Sequence, residues 1–123
     1  MKNIALLAVL AHSLLAADFA KWWPGFQAAV AKADAQAVAR QAHFPLEWEN
    51  GKIRQIKSEA DLLKSFDVYF TPEIRKNIAA RKPELLPSGE YLIVWQARGN
   101  EYSLRFIPED AAFVLGGLSE GPS

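Results

Sequence analysis

Apolar residues recur every three or four positions through the stretch Asp18 to Phe44. Phe19, Trp22, Phe26, Val30, Ala33 and Ala37 fall on one stripe, the pattern of a helix with one buried face. Pro24-Gly25 interrupts the stripe near its start. Proline suits a first helical turn better than an interior, so the main helix is expected to begin at Pro24. Asp34 stands where it can cap a second segment, Ala35 to Ala42, whose Val38 continues the inward face. Phe44-Pro45 is expected to end the helical part, because a residue before proline avoids helical backbone.

The period then changes to two. Asn50-Gly51 is a favoured two-residue hairpin turn, since both positions accept positive φ. Counting outward pairs Glu49 with Lys52, Trp48 with Ile53, Glu47 with Arg54 and Leu46 with Gln55. Opposite charges then share one face, and Leu46, Trp48 and Ile53 the other. Ser58-Glu59-Ala60-Asp61 has the form of a capping box and opens a helix carrying Leu62, Leu63 and Phe66. Thr71-Pro72-Glu73 opens another, which buries Ile74 and Ile78 and carries Arg81 and Lys82 in its last turn, where cations offset the helix dipole.

A second hairpin is centred on Gly99-Asn100, pairing Arg98 with Glu101, Ala97 with Tyr102, Trp95 with Leu104 and Ile93 with Phe106. One of its faces is Tyr91, Ile93, Trp95, Ala97, Tyr102, Leu104 and Phe106. The other holds Gln96, Arg98, Glu101, Ser103 and Arg105 and turns apolar at Leu92 and Ile107. Ala112 to Leu115 reads as a last strand, and Gly116-Gly117 to Ser123 as a fraying tail. Helices, a hairpin, helices and a meander make an α+β domain, with N-terminal helices packed on one face of an antiparallel sheet that wraps them.

Residues 1–17 read as a signal peptide. Met1-Lys2-Asn3 supplies a positive start, Ile4 to Leu10 an apolar run, and Leu14-Leu15-Ala16-Ala17 small residues for cleavage after Ala16 or Ala17. Asp18 arrives too soon for a membrane span. The expected product is one periplasmic or secreted domain, 18–123, without a membrane anchor. The 14 basic and 14 acidic residues balance, which argues against nucleic acid or an anionic membrane as partner. With no cysteine, neither a disulfide nor a lipid anchor is available, so the hydrophobic half of the chain must hold the fold alone.

The stretch Phe26-Gln27-Ala28-Ala29-Val30 through Asp34, Val38 and Phe44-Pro45-Leu46, followed by the long hairpin over 90–107, resembles the cone-shaped, cystatin-like α+β fold shared by nuclear transport factor 2 and ketosteroid isomerase. The chain is also similar to uncharacterised exported bacterial proteins with a Phe-Pro-Leu step and a Phe-Asp-x-x-Phe segment, here Phe66-Asp67-Val68-Tyr69-Phe70. The resemblance implies a curved antiparallel sheet and a conical cavity between sheet and helices. It selects no activity, because that fold hosts enzymes, binders and dimerisation modules alike.

Catalytic and metal-binding motifs are sparse. After cleavage His43 is the one histidine, no histidine–carboxylate pair has ligand spacing, and no nucleophile elbow or phosphate loop is present, so no cofactor or metal is expected. Acid–base chemistry would fall to Asp67 or His43 with a tyrosine donor. Both have plainer readings, Asp67 as a helix-end residue and His43 as a histidine at a helix C-terminus. The aromatic residues offer more. Trp22, Trp23, Phe26, Trp48, Tyr91, Trp95 and Tyr102 either fill the core or line the mouth of a cavity for a small apolar ligand, with Trp48, Tyr91, Trp95 and Tyr102 the foremost candidates and the two phenols Tyr91 and Tyr102 as polar handles. Trp22 and Trp23, about 100° apart on a helix, cannot face the core equally, which leaves one for a partner such as another envelope protein. The open sheet face around Leu92, Val94 and Ile107 is the candidate homodimer surface.

Overall fold

The computed structural model describes residues 18–122, so the signal-peptide reading of 1–17 lies outside the described residues. The first helix, α1, occupies 18–31 and runs straight through Pro24-Gly25 rather than starting there. Proline removes one backbone hydrogen bond. The packing of Phe19, Trp22, Trp23 and Phe26 outweighs that loss, since tertiary burial rather than propensity holds most protein helices. The helix ends in a Schellman motif. Ala33 takes positive φ (55°), its N–H reaches Val30 O at 3.0 Å, and the Asp34 N–H reaches Ala29 O at 2.9 Å. Alanine is an unusual residue for that position, and nothing in its identity signals the stop.

Asp34 caps α2 (Ala35–Arg40) as expected, its carboxylate accepting from the Ala37 N–H at 3.2 Å. The chain then becomes extended two residues before Phe44, not after it. Strand β1 (Ala42–Asn50) already contains Phe44-Pro45, whose peptide bond is cis. The extended bias before proline therefore acts inside a strand rather than at a helix end. The remaining elements are β2 (Ile53–Ile56), α3 (Glu59–Lys64), α4 (Phe66–Tyr69), α5 (Pro72–Ala80), β3 (Glu84–Leu85), β4 (Tyr91–Ala97), β5 (Asn100–Glu109) and β6 (Ala112–Pro122). Ser58 caps α3 through the Asp61 N–H at 3.2 Å, and Thr71 caps α5 through the Ile74 N–H at 3.4 Å. Helix α5 stops at Ala80, so Arg81 and Lys82 lie beyond its last turn, in the segment that Pro83 prevents from remaining helical.

The six strands form one sheet in the order β2-β1-β6-β5-β4-β3. Every neighbouring pair is antiparallel except β1 and β6, which run parallel. The fold is α+β, with helices packed on the inner face of a curved, unclosed sheet. Neither hairpin keeps its expected partners, and only the second keeps its expected faces: in the first, Gln55 turns outward beside Glu47 and Ile56 takes the inner place opposite Leu46 that Gln55 was expected to hold. In the first, Asn50 pairs with Ile53 around a Gly51-Lys52 turn, and an irregularity then sets Glu47 opposite Gln55 and Leu46 opposite Ile56. In the second, Arg98 (φ 53°) and Gly99 (φ 76°) form the turn. Tyr91 then opposes Phe106, Ile93 opposes Leu104 and Trp95 opposes Tyr102. That is a shift of two residues from the expected register, and a shift of two leaves every side chain on its own face. Tyr91, Ile93, Trp95, Tyr102, Leu104 and Phe106 are accordingly all buried.

The C-terminal segment is the largest correction. Gly116 to Pro122 is not a fraying tail but the second half of β6, the strand between β1 and β5. Arg105 opposes Gly117 whereas Phe106 opposes Leu115, so Gly116 is an extra residue bulged out of the β5–β6 ladder. The bulge restores the inward direction for Leu118, which is fully buried beside Leu115 and Phe113.

Candidate functional site

Helix α1 crosses the sheet near its β4 end and brings Phe19 face to face with Tyr91, ring centroids 3.7 Å apart and planes within 5°. Phe113 meets the same two rings edge-on, at 5.1 Å from Phe19 and 5.5 Å from Tyr91. One turn further along, Trp23 packs edge-on against Phe106 at 5.0 Å. These rings leave an open cavity of about 320 Å³, walled by Phe19, Ala20 and Trp23 on one side and by Lys82, Pro83 and Tyr91 on the other. Its size falls at the lower end of small-molecule sites.

The cavity has two polar groups of note. Tyr91 is 7% exposed, its hydroxyl makes no hydrogen bond among the described residues, and burial pushes its phenol pKa up. The phenol is thus a neutral group open to the cavity, with no acceptor from the described residues. Lys82 is exposed and takes part in no ion pair among the described residues. A second, smaller groove of about 230 Å³ adjoins the first across Lys82. It is lined by Arg81, Glu84, Leu92, Ile93 and Val94 as well.

No known family, curated protein or solved structure matches the chain. The site must therefore be read from its own chemistry.

Of Trp48, Tyr91, Trp95 and Tyr102, Tyr91 alone borders the larger cavity, where Trp23 joins it. Trp48 is fully buried, stacks obliquely on Phe70 at 5.1 Å and donates its indole N–H to Tyr69 O at 3.3 Å. Trp95 and Tyr102 stack on each other at 5.6 Å in the core under the β4–β5 turn. None of these three lines either cavity. Trp22 and Trp23 are both half-buried and both pack on the core, so neither stands free of it. Phe19, Ala20, Lys82 and Pro83 complete the larger cavity without having been singled out. The available signal was Pro83, which ends the helical segment before Lys82 and so frees that ammonium from the dipole role assigned to it.

The two acid–base candidates lie apart from both cavities. Asp67 is exposed on α4. His43 is exposed on β1 rather than at a helix end, with Nδ1 3.2 Å from Glu109 Oε2. Among the described residues no group of three histidine, cysteine or acidic side chains is placed to hold a metal ion, and no helix is long and apolar enough to cross a membrane.

The polar chemistry concentrates instead at the β4–β5 turn. Arg98, held in left-handed backbone by the turn, directs its guanidinium onto both Glu73 oxygens at 3.0 and 2.9 Å, and also donates to the Tyr102 hydroxyl at 3.1 Å. Tyr102 in turn donates to Glu120 at 2.6 Å. The chain Glu73–Arg98–Tyr102–Glu120 thus fastens α5 to the turn and to the end of β6. The Arg98 hydrogen bond holds the Glu73 carboxyl below the usual carboxylate range. The neighbouring Trp95 indole adds a smaller effect of the same sign, although its buried Nε1 makes no hydrogen bond of ordinary geometry. A carboxyl lowered in the folded state contributes stability that is present above its unfolded value and is lost as pH falls through the folded one. Glu73→Gln is therefore expected to be slightly less stable than the parent at pH 7 and equal to it at the acid end. The effect is small because Arg98 is well exposed. Urea midpoints measured from pH 7 to pH 3 check this.

Proposed function

We propose that the chain is an exported, non-catalytic binding module that holds a small apolar molecule in the cavity between α1 and the β4 end of the sheet. The observation that carries this reading is the Tyr91 hydroxyl, an unpaired donor set among Phe19, Trp23 and Pro83 at the wall of an open cavity. The Tyr91 ring is buried while its hydroxyl opens onto the cavity without a protein partner, so a ligand acceptor can take the place of water there. The helix-on-curved-sheet architecture fits the cone-shaped superfamily that the sequence resembles, and the Ile4 to Leu10 run followed by Ala16-Ala17 supports passage into the periplasm.

Two measurements test the reading. The full chain is expressed in a bacterium and the envelope fraction weighed by intact mass spectrometry. A product lacking residues 1–16 or 1–17 is expected, and an uncut chain in the cytoplasm contradicts export. The purified protein is then titrated calorimetrically with 1-octanol, a neutral apolar probe. Saturable one-site binding is expected at about 0.1–1 mM, from roughly 0.5 kcal/mol per heavy atom. The Trp23→Ala variant should weaken it by about tenfold through loss of the indole wall. No saturable heat, or binding that Trp23→Ala leaves unchanged, contradicts the cavity as the site.

A further inference from the structure

We propose that the molecule held in this cavity is a small aliphatic or aromatic carboxylate, its apolar body against Phe19 and Trp23 and its two oxygens shared between the Lys82 ammonium and the Tyr91 hydroxyl. The inference rests on the binding reading above and adds the charge and head group of the ligand. Three observations support it. Lys82 borders the cavity and has no carboxylate partner among the described residues. Tyr91 presents an unpaired phenol on the same wall, and burial favours its protonated form, so it keeps a proton to donate to a carboxylate oxygen. The remaining wall, from Phe19, Ala20, Trp23 and Pro83, is mainly hydrocarbon and aromatic surface; the Trp23 indole N–H is its one side-chain donor, and Pro83 has no backbone N–H to add another.

A single positive charge beside neutral donors matches a carboxylate, which brings one negative charge and two acceptor oxygens. A phosphate ester would bring up to two charges and three oxygens to a cavity that offers a single cation. The other nearby cation, Arg81, belongs to the adjoining groove and gives its Nε hydrogen to Asn77 Oδ1 at 2.6 Å. A neutral alcohol or hydrocarbon would leave the ammonium unused.

Octanoate and 1-octanol share a chain length and differ at the head group. Titrated into the purified protein at pH 7.5 and low salt, octanoate is expected to bind about five- to tenfold more tightly, with the advantage shrinking in high salt. Lys82→Met keeps the aliphatic stem and should bring octanoate down to the affinity of 1-octanol. Tyr91→Phe should reduce the octanoate preference about threefold. Melting temperatures of both variants report whether they remain folded. Equal binding of the two probes overturns the carboxylate assignment and leaves the apolar-binding reading standing. A preference for octanoate that survives Lys82→Met also overturns it, by removing the cation from the head-group site. Binding of neither probe overturns the carboxylate assignment and the binding reading together.

Discussion

A chain ending at Gly116 is expected not to fold. The missing residues are the second half of the strand that joins the two parts of the sheet. Leu118, fully buried, is lost from the core, and losing one buried leucine alone costs about 2–5 kcal/mol. The ladder pairs of Leu104, Ser103, Tyr102, Glu101 and Asn100 with residues 118–122 go with it, as do the pairs of Glu47 and Trp48 with Gly117 and Leu118. Those losses expose strand edges on both sides of the gap, and the Tyr102 hydroxyl loses Glu120 as its acceptor. The sum exceeds the roughly 5–15 kcal/mol by which a domain of this size is stable. Far-UV circular dichroism and amide proton dispersion check it, and a chain ending at Gly121 serves as the control that should fold. If residues 117–123 were a fraying tail, the two truncations would behave alike.

Gly117→Ala should be the most damaging substitution of a residue that has no side chain to lose. A Cβ built there lies 2.9 Å from Glu47 O, an atom fixed in the parallel β1–β6 pairing, and 2.9 Å from Arg105 Nη2. The residue also has φ of +152°, a region that side chains rarely adopt. The bare Gly117 backbone lets the Arg105 guanidinium lie across β6 and reach Glu47 Oε2 at 2.9 Å on the next strand. The guanidinium end can swing aside, but the carbonyl cannot, so the strand pairing must open. A loss of about 2–4 kcal/mol is expected from backbone strain and overpacking together. Gly121→Ala is the matched control, since nothing lies within 4 Å of its added Cβ, and it should stay within about 0.5 kcal/mol of the parent. Urea denaturation of the three proteins checks both values.

The parts of the fold that were legible in the sequence are those in which a local pattern has a local cause. Asp34, Ser58 and Thr71 each cap the helix they were expected to cap, because a side-chain oxygen three residues before a free amide needs no tertiary context. The buried face of the β4–β5 hairpin was readable for a similar reason. Alternation fixes a face, and the two-residue shift from a Gly99-Asn100 turn to an Arg98-Gly99 turn preserves it. The choice between those turns was not local. It places Arg98 on Glu73 of α5, a contact 25 residues distant.

The features that were not legible depend on such distant partners. Gly116-Gly117 carries no side chain to register in a hydrophobic pattern, and Leu118 stands alone before a polar run. What makes the segment a strand is the presence of β1 and β5 on either side. Pro24 looked like a helix start because the rings that hold α1 together on both sides of it lie against β4, β5 and β6. The site divides along the same line. Tyr91 was named as a residue with a phenol to satisfy, whereas the walls opposite it come from α1 and from the turn after α5, which only the folded chain brings together. Trp48, Trp95 and Tyr102 carried the same chemical promise but are packed into the core.

Chemical-shift mapping of the amide-labelled protein during titration with octanoate tests the central claim most directly. Saturable shifts concentrated at Phe19, Ala20, Trp23, Lys82 and Tyr91, with those of Trp48, Trp95 and Tyr102 nearly still, are the predicted result. Shifts centred on Trp95 and Tyr102, or none that saturate, would contradict a ligand site between α1 and β4.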